Sequence, residues 1–264
     1  SNGWEIGMLL WEKHELEYGT KPQFCVNIPG NVVITGLFSA FCNSNIISAN
    51  GSPALCVTVS EAQGSIVRIV NNRTNDHKHF SLSSSKFKKE DKWANYVKGI
   101  VSVLRESNYH VGALNFSIDG PYLNSDTLHL ASAIAVGVVL AFDKAFSLNI
   151  PRYEMVKICV RALEGLSNTK TLHSFLTDLL CGEEGNYSVF DSKTTTHYVD
   201  PFNGGDYLPL LINTNVPPEA LREELKNRVF LVVDAVKELR SYYSDDIRNL
   251  TTADIYDRTI PLSE

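Results

Sequence analysis

Residues 120–142 read GPYLNSDTLHLASAIAVGVVLAF, and this turn followed by an apolar run decides the fold. The residues just before it, 111–118, alternate apolar and polar side chains as a strand does, and Gly120-Pro121 ends that strand. Asn124 or Ser125 can cap a helix behind the turn. In that helix Leu128, Leu130, Ala131, Ile134, Val138, Val139 and Phe142 fall on nearly every side. A helix apolar all round has no face to offer water, so it belongs inside the protein. The chain must then supply layers to wrap it. With 264 residues, 44% of them hydrophobic and 20% charged, it has the length and the material for a core of that kind.

Upstream, residues 93–105 form an amphipathic helix, with Trp93, Tyr96, Val97, Ile100, Val101 and Leu104 at helical spacing. Residues 54–59 and 66–70 read as two antiparallel strands joined through Gly64. Residues 24–28 alternate and stop at Pro29-Gly30, and 32–35 form a short β-branched run. The Ser-rich, charged stretch 71–91 reads as a loop holding at most a short strand at 79–82. Downstream, 151–163 and 172–180 read as helices, and 188–190, 195–199 and 207–212 as strands. Pro218, a first-turn proline, opens a long helix that runs to about Tyr243, and 248–264 carry weak helical signals only. This order predicts an α+β domain with a buried central helix on an antiparallel or mixed sheet.

The charge balance excludes some partners. The net charge is −6, and the one basic cluster, Lys86-Phe87-Lys88-Lys89, is followed directly by Glu90 and Asp91. Phosphate backbones and anionic membranes demand clustered Lys and Arg, so neither nucleic acid nor a membrane surface is the expected partner. The five cysteines, Cys25, Cys42, Cys56, Cys159 and Cys181, are odd in number and form no Cys-x-x-Cys. They indicate neither a disulfide framework nor a zinc site. No stretch reads as a signal peptide, and the longest apolar run, 130–142, is too short to span a bilayer. A reducing, cytoplasmic setting is therefore expected. His77-Lys78-His79 has no acid cluster beside it, and Glu183-Glu184, Asp245-Asp246 and Gly204-Gly205-Asp206 read as solvated turns. Ser60 and Ser174 lack a local nucleophile signature.

A pattern over almost the whole chain adds a resemblance. Residues 29–41, PGNVVITGLFSAF, are similar to the galactokinase signature Pro-Gly-Arg-Val-Asn-Leu-Ile-Gly-Glu-His-Thr-Asp-Tyr. Trp93, Tyr96 and Gly99 match the Trp-x-x-Tyr-x-x-Gly helix, and 120–131 sit where the family has Gly-Gly-Leu-Ser-Ser-Ser-Ala-x-Leu-x-x-Ala. Cys181 to Lys193 resembles Gly-x-x-Gly…Asp-x-Arg, and Ile212-Asn213-Thr-Asn215-Val216 resembles Asn-Ser-Asn-Val. Residues 224–239 and then Leu250-Thr-Thr-Ala-Asp254 resemble the helix and Leu-x-x-Val-Thr-x-x-Asp that follow. The chain thus resembles the superfamily of galactokinase, homoserine kinase, mevalonate kinase and phosphomevalonate kinase. The resemblance implies a ribosomal-S5-domain-2-like N-terminal domain over residues 1–200, and the beginning of a ferredoxin-like C-terminal domain over 201–264. It also implies a later glycine-rich loop that this sequence does not reach.

The departures fall on the implied chemistry. The signature Arg, which serves the transferred phosphoryl, aligns with Asn31, and an amide brings no guanidinium charge. The Glu, His and Asp that grip sugar hydroxyls align with Leu37, Phe38 and Ala40. A site built on hydroxyl recognition loses most when those partners go unpaired. The catalytic Asp falls by spacing at Phe175, with Asp178 one helical turn away as the possible substitute. In the phosphate loop Gly120, Asn124 and Ser125 remain as nucleotide-binding positions, Ser125 also as a magnesium ligand or equally a helix cap. Pro121 removes a donor there, Tyr122 adds bulk and Asp126 adds negative charge.

With these departures the resemblance leads to a catalytically degenerate, galactokinase-like regulatory or protein-interaction module with no cofactor. The alternative is a divergent ATP-dependent galactokinase or other small-molecule kinase using ATP and Mg2+, with Asp178 as base and Lys170 or Arg161 supplying charge to the phosphates. A fragmentary chain with no independent role is a third reading. The replaced sugar positions Leu37 and Phe38 should bury with Phe41 and Phe175. The faces of 207–212 and of the helix carrying Val229, Val232, Val233, Val236 and Leu239 should need cover from a protein partner or from the remainder of the same polypeptide.

Overall fold

The computed structural model describes residues 3–124, 127–165, 169–207, 209–212, 214–243 and 246–257. They divide into two compact units, Ser1–Val32 with Ala49–Glu184, and Val33–Ser48 with Gly185–Glu264. This division runs differently from the expected boundary at residue 200, because the hairpin of β1 (Phe24–Thr35) and β2 (Asn45–Glu61) contributes residues to both units.

In the first unit these strands are joined by β3 (Ile66–Asn71), β4 (Asp76–Ser81) and β5 (Leu114–Asp119). Their order is β4-β3-β5-β2, with β1 paired to β2. β2 and β3 are therefore not a hairpin, as their closeness in sequence suggests. After β3 the chain passes through β4 and helix α2 (Ala94–Glu106) and returns as β5, parallel to β3 and antiparallel to β2. The place beside β2 goes to β5 because its apolar residues Leu114, Phe116 and Ile118 extend the surface made by Leu55, Val57 and Val59.

Alternation along these strands sorts the layers. Leu55, Val57 and Val59 join the main core, in which α3 (Leu128–Phe146) is buried along nearly its whole length. A Cβ on Gly137 would lie 3.1 Å from Val57 Cγ2, so α3 rests directly on β2. Helices α2, α4 (Arg152–Ala162) and α5 (Thr169–Cys181) pack around α3. At 19 residues α3 is long and apolar enough to cross a membrane by composition, longer than the run 130–142 suggests. Two thirds of it is enclosed by the protein's own layers.

The intervening residues Cys56, Thr58 and Ser60 face α1 (Gly3–Tyr18), a helix the sequence hides. This helix turns Leu10 and His14 inward and leaves Met8, Leu9 and Leu16 exposed, so its apolar residues form no stripe. His14 is fully buried, with Nδ1 3.0 Å from Thr58 Oγ1 and Nε2 2.8 Å from Ser60 Oγ. Tyr18 donates to the Phe116 carbonyl at 2.6 Å. Two further differences have local causes. β1 continues through Pro29 because it pairs with β2 alone, and an edge strand tolerates the missing N–H. β4 is a strand despite its polar sequence because only Phe80 is buried, and it forms the other edge.

The second unit contains β6 (Asn186–Asp191) and β7 (Thr196–Pro201), antiparallel, with β6 beside β2. Phe190, Ile46, Ala40 and Val33 form its small core. Helix α6 (Pro218–Tyr242) begins at Pro218 as the sequence predicts, and α7 (Thr252–Asp257) follows. The expected strand at 207–212 is absent: described residues 207 and 209–212 carry no strand, and Tyr207, Leu210, Leu211 and Ile212 are exposed. Alternating apolar residues make a strand only where a neighbour completes the ladder.

Burial holds the His14 pKa at about 4, against a weaker opposing hydrogen bond that the ring donates to the Thr58 backbone. Because this folded value lies below the unfolded one, the full contribution of neutral His14 is present above about pH 6.5 and is lost as pH falls toward 4. Burial lowers His129 and His173 in the same direction. Stability measured by urea denaturation should therefore fall below pH 6.5, with His14 alone approaching about 3 kcal/mol at full protonation. His14→Asn should flatten this dependence, and an unchanged pH slope in that variant would contradict the assignment.

Candidate functional site

The carboxylate that meets Asn31 is Asp178, not a group at position 175. Asn31 lies on β1 and Asp178 on α5, and both are buried, at 4% and 2% exposure. Asn31 Nδ2 donates to Asp178 Oδ2. The Asp178 carbonyl accepts from Asn50 Nδ2 at 3.0 Å and from the Gly182 N–H at 2.8 Å. Among the described residues, Asn31 Oδ1 and Asn50 Oδ1 have no hydrogen-bond partner. Phe175, one turn earlier on α5, is buried with its ring stacked on His129 at 4.5 Å. The resemblance aligns residue 175 with the family's catalytic Asp, and the side chain that reaches Asn31 is that of Asp178, one turn on.

The loop between β5 and α3 closes against the same strand. Gly120 has φ +152°, and a Cβ there would fall 2.2 Å from the Ala54 carbonyl oxygen. Its N–H is taken by the Asp119 carboxylate at 2.7 Å, Pro121 has none, and the Leu123 N–H turns back to the Gly120 carbonyl at 3.2 Å. The Asn31 N–H donates to the Tyr122 hydroxyl at 3.0 Å. The Tyr122 ring meets His129 edge-on at 5.7 Å, giving a column Tyr122–His129–Phe175 beside the Asn31–Asp178 pair. Burial lowers the His129 pKa, opposed by a hydrogen bond to the Asn31 backbone. Asn124 ends the turn Pro121–Asn124, and Ser125 and Asp126 lie outside the described residues. The cap of α3 is Thr127, not Asn124 or Ser125: its Oγ1 accepts from the Leu130 N–H at 3.3 Å. The helix begins two or three residues later than the sequence suggests because the turn takes up residues 121–124.

The positions aligned with the sugar ligands belong to the second unit. Ala40 is buried with Ile46 and Phe190, but Leu37 is 39% exposed and Phe38 and Phe41 are only half-buried. Phe175 belongs to the first unit, where it is buried against His129. Asp191, matched to the Asp-x-Arg segment, has a structural task. Arg248 grips it through both nitrogens at 3.2 and 2.9 Å, and the N–H groups of Lys193 and Thr194 donate to it. With Arg248 as the main cause its pKa falls to about 2. Of the two cations suggested for phosphate, Arg161 is paired with Glu106 on an exposed surface, and Lys170 lies in the first turn of α5. His77 pairs with Glu17 at 3.2 Å. Among the described residues no three His, Cys, Asp or Glu side chains gather as a metal site.

No protein-family model matches the chain. It is 26% identical to the "Putative galactokinase" of Treponema pallidum (strain Nichols) over 225 residues, 84% of this chain and 56% of that protein. To the galactokinase of Clostridium perfringens (strain SM101 / Type A) it is 28% identical over 167 residues, 62% of this chain and 42% of that one. The chain thus spans about half the length of the curated relatives it matches. Lactococcus lactis galactokinase complexed with galactose superposes with a TM-score of 0.73 at 18% identity, covering 96% of this chain and 67% of that one. The mevalonate kinase of Methanococcus jannaschii superposes at 0.53 with 13% identity, covering 85% and 74%. The fold is that of the galactokinase, homoserine kinase, mevalonate kinase and phosphomevalonate kinase superfamily. In sequence and in fold the chain is galactokinase-like.

Gly120→Ala should cost more than about 3 kcal/mol of stability, since its Cβ has nowhere to go. Tyr122→Phe, which removes one partner of a backbone N–H, should cost about 1 kcal/mol. Urea titration of both variants checks the order, and a Gly120→Ala loss below that of Tyr122→Phe would contradict the packing described.

Proposed function

We propose that this chain belongs to a divergent ATP-dependent kinase that phosphorylates an alcohol group of a small molecule other than galactose, with Asp178 as the base. One observation carries the reading: a buried carboxylate, Asp178, is held against Asn31, the residue aligned with the signature Arg. A carboxylate is expensive to bury, and sites of chemistry are where that expense recurs. Asn31 would orient the Asp178 oxygens, and Asp178 would take the proton of the attacking hydroxyl. The relatives named as galactokinases support the kinase class. Leu37, Phe38 and Ala40 oppose galactose, because none can pair a sugar hydroxyl. Magnesium would be held through the nucleotide phosphates, with Ser125 as the proposed side-chain ligand. Among the described residues no carboxylate cluster is offered to it.

A second reading, a catalytically degenerate regulatory module, is favoured by Tyr122, whose hydroxyl occupies the backbone of Asn31, and by the donor lost at Pro121. Titration with ATP-magnesium separates the two. A dissociation constant in the low micromolar range, about −8 kcal/mol, is expected for the kinase, and no binding would favour the module. With a panel of small alcohols, ADP release should exceed that seen with galactose and should drop at least about a hundredfold in Asp178→Asn. Equal rates with and without that carboxylate would defeat the assignment.

We also propose that the second unit docks a protein partner or the remainder of a kinase-type second domain. Leu210, Leu211 and Ile212, with Phe230 and Leu231 on α6, are exposed, and the relatives are about twice as long as the span matched. Exposed apolar side chains, where they gather into a patch, usually mark an interface. Light scattering on the isolated chain should show self-association, and a monodisperse monomer would count against a docking face.

A further inference from the structure

We propose that Cys25 and Cys56 form a thiol–disulfide modification site, oxidised to an intramolecular disulfide by a low-molecular-weight disulfide and restored by a dithiol reductant. Cys25 lies near the start of β1 and Cys56 on β2, the strand paired with it. They are 31 positions apart in the chain, which is why the sequence shows no Cys-x-x-Cys, yet their Sγ atoms stand 3.0 Å apart. The two thiols are not equivalent. Cys56 is 3% exposed, whereas Cys25 is half-buried and reaches solvent. The Cys56 thiol donating to the Cys25 sulfur holds Cys25 below the usual thiol range; burial opposes this, and the Val57 backbone and the Lys144 ammonium assist. The same hydrogen bond, with burial, pushes Cys56 up. A partly exposed sulfur with its thiolate favoured and a cation nearby is the setting of a reactive cysteine. Cys159, wholly buried and pushed up by burial, is the opposite case.

The roles follow from this asymmetry. The Cys25 thiolate, its proton lost to solvent, attacks one sulfur of the small disulfide. A mixed disulfide forms on Cys25, and one small thiolate leaves with the electron pair of the broken bond. Cys56 then gives up its proton to that thiolate and attacks Cys25 Sγ. The Sγ–Sγ bond forms, and the second small thiol departs after taking a proton from solvent. Two protein thiols are oxidised, and one small disulfide is reduced to two thiols. The raised pKa of Cys56 slows the second step, and contact with the target sulfur compensates for it. The bond would staple the beginning of β1 to β2, on the strand that also carries Asn31. This inference rests on the strand pair and is independent of the kinase reading.

The test uses the full chain with oxidised glutathione, followed by intact mass and peptide mapping without reduction. We expect loss of two hydrogens with no retained glutathione, one cross-link joining the Cys25 and Cys56 peptides, and a raised melting temperature that dithiothreitol reverses. Cys56→Ser should retain glutathione on Cys25, and Cys25→Ser should leave Cys56 unmodified. The wild-type map is sufficient by itself if either variant folds poorly. Glutathione left on wild-type Cys25, a cross-link to Cys42, Cys159 or Cys181, or modification of Cys56 in Cys25→Ser would each overturn the proposal.

Discussion

Helix α3 can turn no side toward water, and enclosing it dictates the arrangement of the first unit. One face of the sheet must be apolar to receive it, so Leu55, Val57, Val59, Leu114, Phe116 and Ile118 point the same way. Gly137 lets the helix backbone come down onto Val57, and α2, α4 and α5 close the remaining sides. A strand cannot send every side chain in one direction. The residues between the apolar ones therefore emerge on the far face, where Thr58, Ser60, Asn115 and Ser117 need a layer able to pair hydroxyls and amides. Helix α1 meets that need with His14 and Tyr18.

The same enclosure sets the geometry around Asn31. β1 and α5 are both pressed to the core, so the amide of Asn31 and the carboxylate of Asp178 meet where water is scarce. In such surroundings an unpaired polar atom is costly. The short loop after β5 contributes its tyrosine hydroxyl to the Asn31 backbone, and Gly182 and Asn50 pair with the Asp178 carbonyl. Among the described residues, the side-chain oxygens of Asn31 and Asn50 are left without a partner. In the second unit the matched acidic residue Asp191 has all its partners, Arg248 among them, and works as a structural joint.

The sequence was most legible where one period dominates. The helices around Leu128–Phe146, Ala94–Glu106 and Pro218–Tyr242 announce themselves by apolar spacing, an apolar run or an opening proline. Helix α1 is illegible because its buried face holds a histidine and its exposed face holds leucines. β4 is illegible because an edge strand buries so little, and the order β3-β5-β2 because pairing over long separations leaves no local mark. Residues 207–212 have the pattern of a strand, yet the described ones, 207 and 209–212, carry none. At the candidate site, spacing named two positions on α5, Phe175 by alignment and Asp178 as its possible substitute. Phe175 and Asp178 differ by three residues, and only the packing of α5 decides which of them reaches Asn31.

The buried histidine also fixes a direction. Asn115 Nδ2 lies 3.5 Å from Ser60 Oγ, and the Thr58 hydroxyl points to the Ser117 carbonyl at 3.4 Å. Thr58 is thus already a donor and must accept from the ring, while Ser60, accepting from Asn115, is free to donate to it. The polar chain runs one way, from Asn115 through Ser60, His14 and Thr58 to Ser117, and it selects the imidazole tautomer with its proton on Nδ1. That proton is sealed beneath α1, and base-catalysed exchange with solvent can reach it only when the helix lifts. A single ring resonance in a nuclear magnetic resonance spectrum would therefore serve as a clock for the detachment of the first helix from the sheet.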